Sequence, residues 1–279
     1  MATSPTSDQL LVIIDPVARQ TDGESVRIAK DVLSAGAAAK LCLPEGPEEF
    51  ARALRRRGSR RPVVVGDDRA LVRAVTLLHQ ERELAGCALS VVPVGDSALA
   101  ESLGVPGGTV AAARAVLDGA ERRLDLLVDD SDGVVLGALG IPPAPVRPAA
   151  AEPVPVAAGR PWYRSLVRTL ATRPVRLSAV PSPGATRLRV EVDGETVVDL
   201  DQPVQAVSVT PGPDGVASVE VRPLSVGAEA TPLLASGRTV TVTGEAFRYR
   251  ADAAVTGPVR RRTWRVAEGA WGLTLPADA

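Results

Sequence analysis

The chain has 279 residues, 45% of them hydrophobic and 23% charged, with 32 basic side chains against 33 acidic ones. That length suggests two domains, and a formal net charge of -1 excludes the basic footprint of a nucleic-acid binder. Two cysteines, Cys42 and Cys87, make no disulfide framework, no apolar run approaches the ~20 residues of a membrane span, and the polar start lacks a signal peptide; a cytoplasmic location is expected.

The first eight residues read as a disordered tail. Residues 10–15 then form an apolar strand that Asp15-Pro16 ends, since proline cannot continue a ladder. Residues 23–34 carry Val26, Ala29, Val32 and Leu33 at helical spacing. Strand, helix, strand and helix follow at 38–43, 47–57, 61–66 and 68–83, with Pro47 suited to a first helical turn. A fourth strand at 89–93 leads to a short helix ending at Leu103-Gly104 and a further helix at 109–117. Residues 124–128 and 133–139 read as a hairpin about Asp130-Ser131-Asp132-Gly133. This alternation predicts an α/β domain with a parallel sheet over residues 9–140.

From 141 to 159 the composition turns to Pro, Ala and Val without periodicity, which predicts a linker. Residues 160–171 carry Trp162, Leu166 and Leu170 on one helical side. Short β-branched runs follow at 175–180, 187–192, 204–210, 216–221, 239–243, 247–250, 263–266 and 271–275, split by Gly, Pro and Asp. Residues 160–279 are therefore expected to form an all-β domain, a sandwich.

In an open parallel sheet, ligands bind beyond the carboxyl ends of the strands. Those ends carry Asp15-Pro16, Val65-Gly66-Asp67-Asp68-Arg69, and Pro93-Val94-Gly95-Asp96 running on to Leu103-Gly104. In order and spacing these stretches resemble the Asn-Pro, Gly-Gly-Asp-Gly-Thr and Pro-Leu-Gly-Thr-x-Asn-Asp motifs of the diacylglycerol kinase and sphingosine kinase-type lipid kinases. Leu124-Asp125-Leu126, Val192-Asp193-Gly194-Glu195, Asp214-Gly215, residues 247–254 and Glu268-Gly269-Ala270 continue the resemblance along nearly the whole chain. It implies an ATP- and Mg²⁺-dependent transfer of phosphate to a lipid hydroxyl in the cleft between two domains. Asp15, Gly66, Asp67, Asp68, Gly95 and Asp96 would then hold nucleotide, Asp67 would hold metal, and Asp252 would be the general base.

The phosphate motifs depart from that pattern. A phosphate cradle needs bare backbone, yet Val65, Asp68 and Arg69 replace its first glycine, last glycine and threonine, and the fourth-strand loop is one residue shorter. Of the Asp-Gly-Glu element only Asp252 remains. Asp68 beside Asp67 adds a like charge facing phosphate, at about 4 kcal/mol per contact at ~4 Å and a surface dielectric. The expected function is a non-catalytic binding or regulatory module with a lipid or small-molecule ligand in the inter-domain cleft. The alternative is a divergent ATP-dependent kinase.

The same residues allow other readings. For Asp68 and Asp96 the favoured one is that an Asp after a strand caps the next helix or turns the chain, which leaves Asp67 as the best functional candidate. A phosphoacceptor domain carries less, since it would want a lysine near its last strand, whereas Lys30 and Lys40 are early. Arg55-Arg56-Arg57 with Arg60-Arg61, Arg122-Arg123 and Arg260-Arg261-Arg262 read as solvated helix ends and a charged edge strand. His79 reads as a surface or packing residue, and Trp162, Trp264 and Trp271 as core or interface anchors.

Overall fold

The computed structural model describes residues 9–143, 186–224 and 231–277. The expected tail, most of the linker, the helix at 160–171 with Trp162 and the strand at 175–180 lie outside the described residues. The first part is doubly wound. β1 (Gln9–Ile14), β2 (Ala38–Cys42), β3 (Arg61–Gly66) and β4 (Ala88–Pro93) are all parallel, in the order β4-β3-β1-β2. Helices α1 (Pro16–Thr21), α2 (Gly23–Gly36), α3 (Pro47–Arg55), α4 (Asp68–Gln80), α5 (Ala98–Ser102) and α6 (Thr109–Asp118) connect and cover them. β1, β3 and β4 are buried along nearly their whole length, as strands covered on both faces must be. The chain goes from β1 outward to β2, then back across to β3, which makes the β1/β3 crevice the topological switch point.

β5 (Ala120–Asp129) turns back through β6 (Val134–Val135), and β7 (Leu139–Ile141) enters the second part. There β8 (Leu188–Val192), β9 (Glu195–Val198), β10 (Val204–Pro211), β11 (Ala217–Pro223), β12 (Leu233–Gly237), β13 (Thr239–Ala251) and β14 (Ala254–Leu275) pair antiparallel. Their inward side chains alternate with outward ones, as in β11, where Ala217, Val219, Val221 and Pro223 are buried. β13 pairs with β8 at one end and β7 at the other, with register shifts between, so the sheet branches around a core containing Phe247, Tyr249 and Trp264. The architecture is thus α/β with a parallel N-terminal sheet and a strand-rich C-terminal part.

Two expectations need correction. The runs at 239–243 and 247–250 are one strand, as are those at 263–266 and 271–275. The second correction concerns where the chain ends. β14 leaves the second core and runs parallel to β4, with Gly272 and Leu273 opposite Ala88 and Leu89. Trp271, Leu273 and Leu275 therefore sit in the first core, whereas Leu188, Val219, Val242 and Trp264 sit in the second. Arg61 holds that return: its guanidinium donates to Ser90 Oγ, Thr274 Oγ1 and the Val116 carbonyl at 3.2, 3.0 and 2.8 Å. It is an internal clasp rather than part of a solvated basic face.

Candidate functional site

The chain beyond the ends of β3 and β4 meets the tip of the β13–β14 hairpin across a cleft of about 640 Å³. Asp67, Asp68, Arg69, Asp96, Leu99 and Asp252 are among its lining residues, with Ser208 and Thr210 on the β10 wall. The structure thus brings together four of the sequence-predicted site residues, Asp67, Asp68, Asp96 and Asp252. Asp15 is elsewhere. It is 2% exposed, its Oδ1 caps α1 at Val17 N (2.9 Å), and its Oδ2 pairs with Arg73 at 2.9 Å. Arg73 in turn lies over the Phe50 ring, so Asp15 is tied into helix packing rather than aimed at the cleft.

The backbone at 65–69 decides whether a phosphate cradle survives. Among the described residues none of these five has a positive φ. Val65 points into the core, fully buried between Ile14 and Val92 on the neighbouring strands, so it is not the obstruction expected of it. Gly66 serves packing: a Cβ there would meet Ala70 Cβ at 2.9 Å and Asp15 Cβ at 3.0 Å. Gly95 keeps a φ of +101° that suits glycine, and only Asp67 Cβ lies near it, at 3.5 Å.

Three groups of backbone N–H around the cleft could have held an anion, and each is taken by a carboxylate of the chain itself. Asp67 is the N-cap of α4, accepting from Ala70 N at 3.0 Å. Asp68, 7% exposed, accepts from Leu99 N and Ala100 N of α5 at 2.8 and 3.0 Å, while its own N–H donates to the Asp96 carbonyl. Asp252 accepts from Leu136, Gly137 and Ala138 N at 2.7, 2.8 and 3.0 Å. Burial pushes the Asp68 carboxyl up, the Leu99 and Ala100 N–H groups pull it back, and the Asp96 and Asp67 charges raise it further. Burial likewise holds Asp252 above its ordinary value in spite of its three N–H partners.

This arrangement does not fit the nucleotide and Mg²⁺ implied by the sequence resemblance. Helix N-termini bind phosphate through free N–H groups, and here Asp67 and Asp68 cap the two nearest ends. Among the described residues no three His, Cys, Asp or Glu side chains converge as a metal-holding group. Asp252, through its three N–H partners, clamps the hairpin tip to the β6–β7 loop.

Asp125 was missed as a positioning residue. Its two oxygens accept from Gly215 N and Gly269 N, each at 2.7 Å, and tie β5 to the β10–β11 turn and to a bulge in β14. A carboxylate set between Leu124 and Leu126 in a strand was the available signal. The arginine groups are largely paired: Arg55 with Glu81, Arg57 with Glu83, and Arg262 with Asp130. His79 Nε2 meets Asp132 at 3.0 Å. No helix among the described residues is long and apolar enough to cross a membrane.

No protein-family model matches the sequence, and no curated protein matches it. Solved structures do. One described, provisionally, as a diacylglycerol kinase from Bacillus anthracis str. Sterne aligns with a TM-score of 0.70 over 98% of each chain, at 14% identity. A second, described as a diacylglycerol kinase from the same organism, aligns with a TM-score of 0.69 over 98% of each chain, at 13% identity. At such identity the likeness is one of architecture, and it spans both cores and the returning C-terminal strand. The chain has the two-part fold of the diacylglycerol kinase-like structures.

Proposed function

We propose that the chain is a non-catalytic binding or regulatory module on a diacylglycerol kinase fold, with a lipid or small-molecule ligand in the cleft. The observation that carries this reading is that six backbone N–H groups around the cleft are bound by Asp67, Asp68 and Asp252. A triphosphate entering there must displace a cap and sit beside carboxylates. One like-charge contact at ~4 Å costs about 4 kcal/mol at a surface dielectric, nearly three orders of magnitude in affinity.

Thermal melting with and without Mg-ATP tests it, together with transfer of labelled phosphate from ATP to diacylglycerol in mixed micelles. A ligand at 100-fold its Kd adds about 2.7 kcal/mol to stability. The expected result is an unchanged melting midpoint and no labelled lipid. Labelled lipid that disappears in Asp67→Ala would establish the divergent kinase instead and end this reading.

A further inference from the structure

A second groove, of about 420 Å³, crosses the outer face of β10, β11 and β12, and Ser208 and Thr210 line both it and the cleft. A ligand seated in the cleft can therefore extend into the groove. Val207, Val209, Val219 and Val221 of these strands are buried in the second core, and the alternate residues face outward. The registers set Thr210 opposite Ser218 and Ser218 opposite Ser236, so three hydroxyls stand in one row at the strand spacing of about 4.8 Å. The next row is Ser208, Glu220 and Leu234. The hydroxyl row lies toward the Ala217–Gly237 end of the β11–β12 ladder, away from the connection between those two strands.

Strand propensity accounts for Thr210 but not for the three serines. Among the described residues none of the four hydroxyls has a hydrogen-bond partner, and each can both donate and accept. Of the residues described along the groove only Glu220 is charged, and it is paired with Arg222 at 2.6 Å. Leu234 adds an apolar contact at the rim, 78% exposed. We propose that the groove is a subsite for a neutral sugar headgroup on the ligand of the cleft. The inference rests on the cleft being a ligand site and narrows the class of that ligand. A sugar carries hydroxyls along the edge of its ring, each a donor and an acceptor, and C–H groups on its faces, which matches the hydroxyl row and Leu234. An anionic headgroup does not suit the groove. Its hydroxyls bring no positive charge, Glu220 stands in the second row, and the neighbouring backbone donors are bound by Asp67, Asp68 and Asp252.

Titration of the full chain, followed by NMR and calorimetry, tests the proposal with three probes: monomeric dodecyl maltoside, an ethylene glycol dodecyl ether of the same chain without a sugar, and free maltose. Dodecyl maltoside should shift the backbone amide signals of Ser208, Thr210, Ser218 and Ser236 saturably, and the ether should bind about tenfold more weakly. Joint replacement Ser218→Val and Ser236→Val, with a residue that suits a strand, should weaken dodecyl maltoside about tenfold without lowering the melting midpoint. Maltose that reaches the same amides with similar affinity identifies a free sugar as the ligand, and maltose that binds far more weakly identifies a glycolipid. Equal binding of the two detergents, wild-type affinity in the valine variant, or no response at the four amides overturns the proposal. Shifts at Leu99 and Ala253 without shifts at those four would overturn the subsite alone and leave the cleft as a ligand site. Phosphate transfer to diacylglycerol is not read by this titration, so failure of the non-catalytic reading shows separately.

Discussion

Replacing Asp252 separates a clamp from a general base. Asp252→Ala removes the acceptor of three N–H groups, from Leu136, Gly137 and Ala138. Leu136 is buried and Gly137 half-buried, while Ala138 is exposed and can turn to water. Each buried donor left unmade costs about 1–3 kcal/mol, and alanine also strains at the φ of +47° that Asp tolerates. A loss of about 2–4 kcal/mol follows, or roughly 5–12 °C of melting midpoint for a chain of this size. Asp252→Asn keeps one oxygen for two of the donors and should lose less. The pH dependence has a definite sign. Burial raises the folded-state value above 3.8, so this group's contribution is fully present below 3.8 and fades as pH rises through the raised value. Asp252→Asn should flatten that part of the profile. Urea denaturation followed by tryptophan fluorescence at a series of acidic to neutral pH values measures both effects. Wild-type stability in both variants would refute the clamp, because a solvent-facing base costs nothing to remove.

Two glycines in the site should fail for different reasons. Gly66→Ala forces a Cβ against Ala70 and Asp15 at 2.9 and 3.0 Å, and overpacking of that kind costs about 1–3 kcal/mol. Gly95→Ala has room, with its nearest neighbour at 3.5 Å, but at a φ of +101° it costs about 1–2 kcal/mol in backbone strain. Denaturant midpoints that leave either variant unchanged would contradict the corresponding account. Tyr249 donates to Asp129 Oδ2 at 3.2 Å, and burial, with the Asp129 charge second, pushes its phenol up to about 12 from 10.0. Its stabilising contribution is therefore complete below 10.0 and lost as pH rises through about 12. Ultraviolet titration should show the late phenol, and Tyr249→Phe should remove both it and the alkaline slope.

Periodicity alone placed β1, β3, β4 and α2 through α6 to within a few residues, because parallel strands covered on both faces read as apolar runs and their helices as apolar stripes. The order of the strand-end motifs was enough to suggest the fold. What local sequence could not contain was pairing between distant segments. β14 reads as two short strands because its 22 residues change neighbours midway, and the second half is held by Arg61 and Ser90 through Thr274. The carboxylates show the same limit. Asp67 caps its own helix, a role its position after a strand allowed. Asp68 caps a helix 31 residues on, and Asp252 binds a loop some 115 residues earlier. The strand-end positions pointed to Asp67, Asp68 and Asp96 at the cleft, but equally to Asp15, which lies elsewhere. Tertiary structure alone decided that the oxygens of Asp68 and Asp252 are spent on backbone N–H groups, since only folding brings those distant donors within reach.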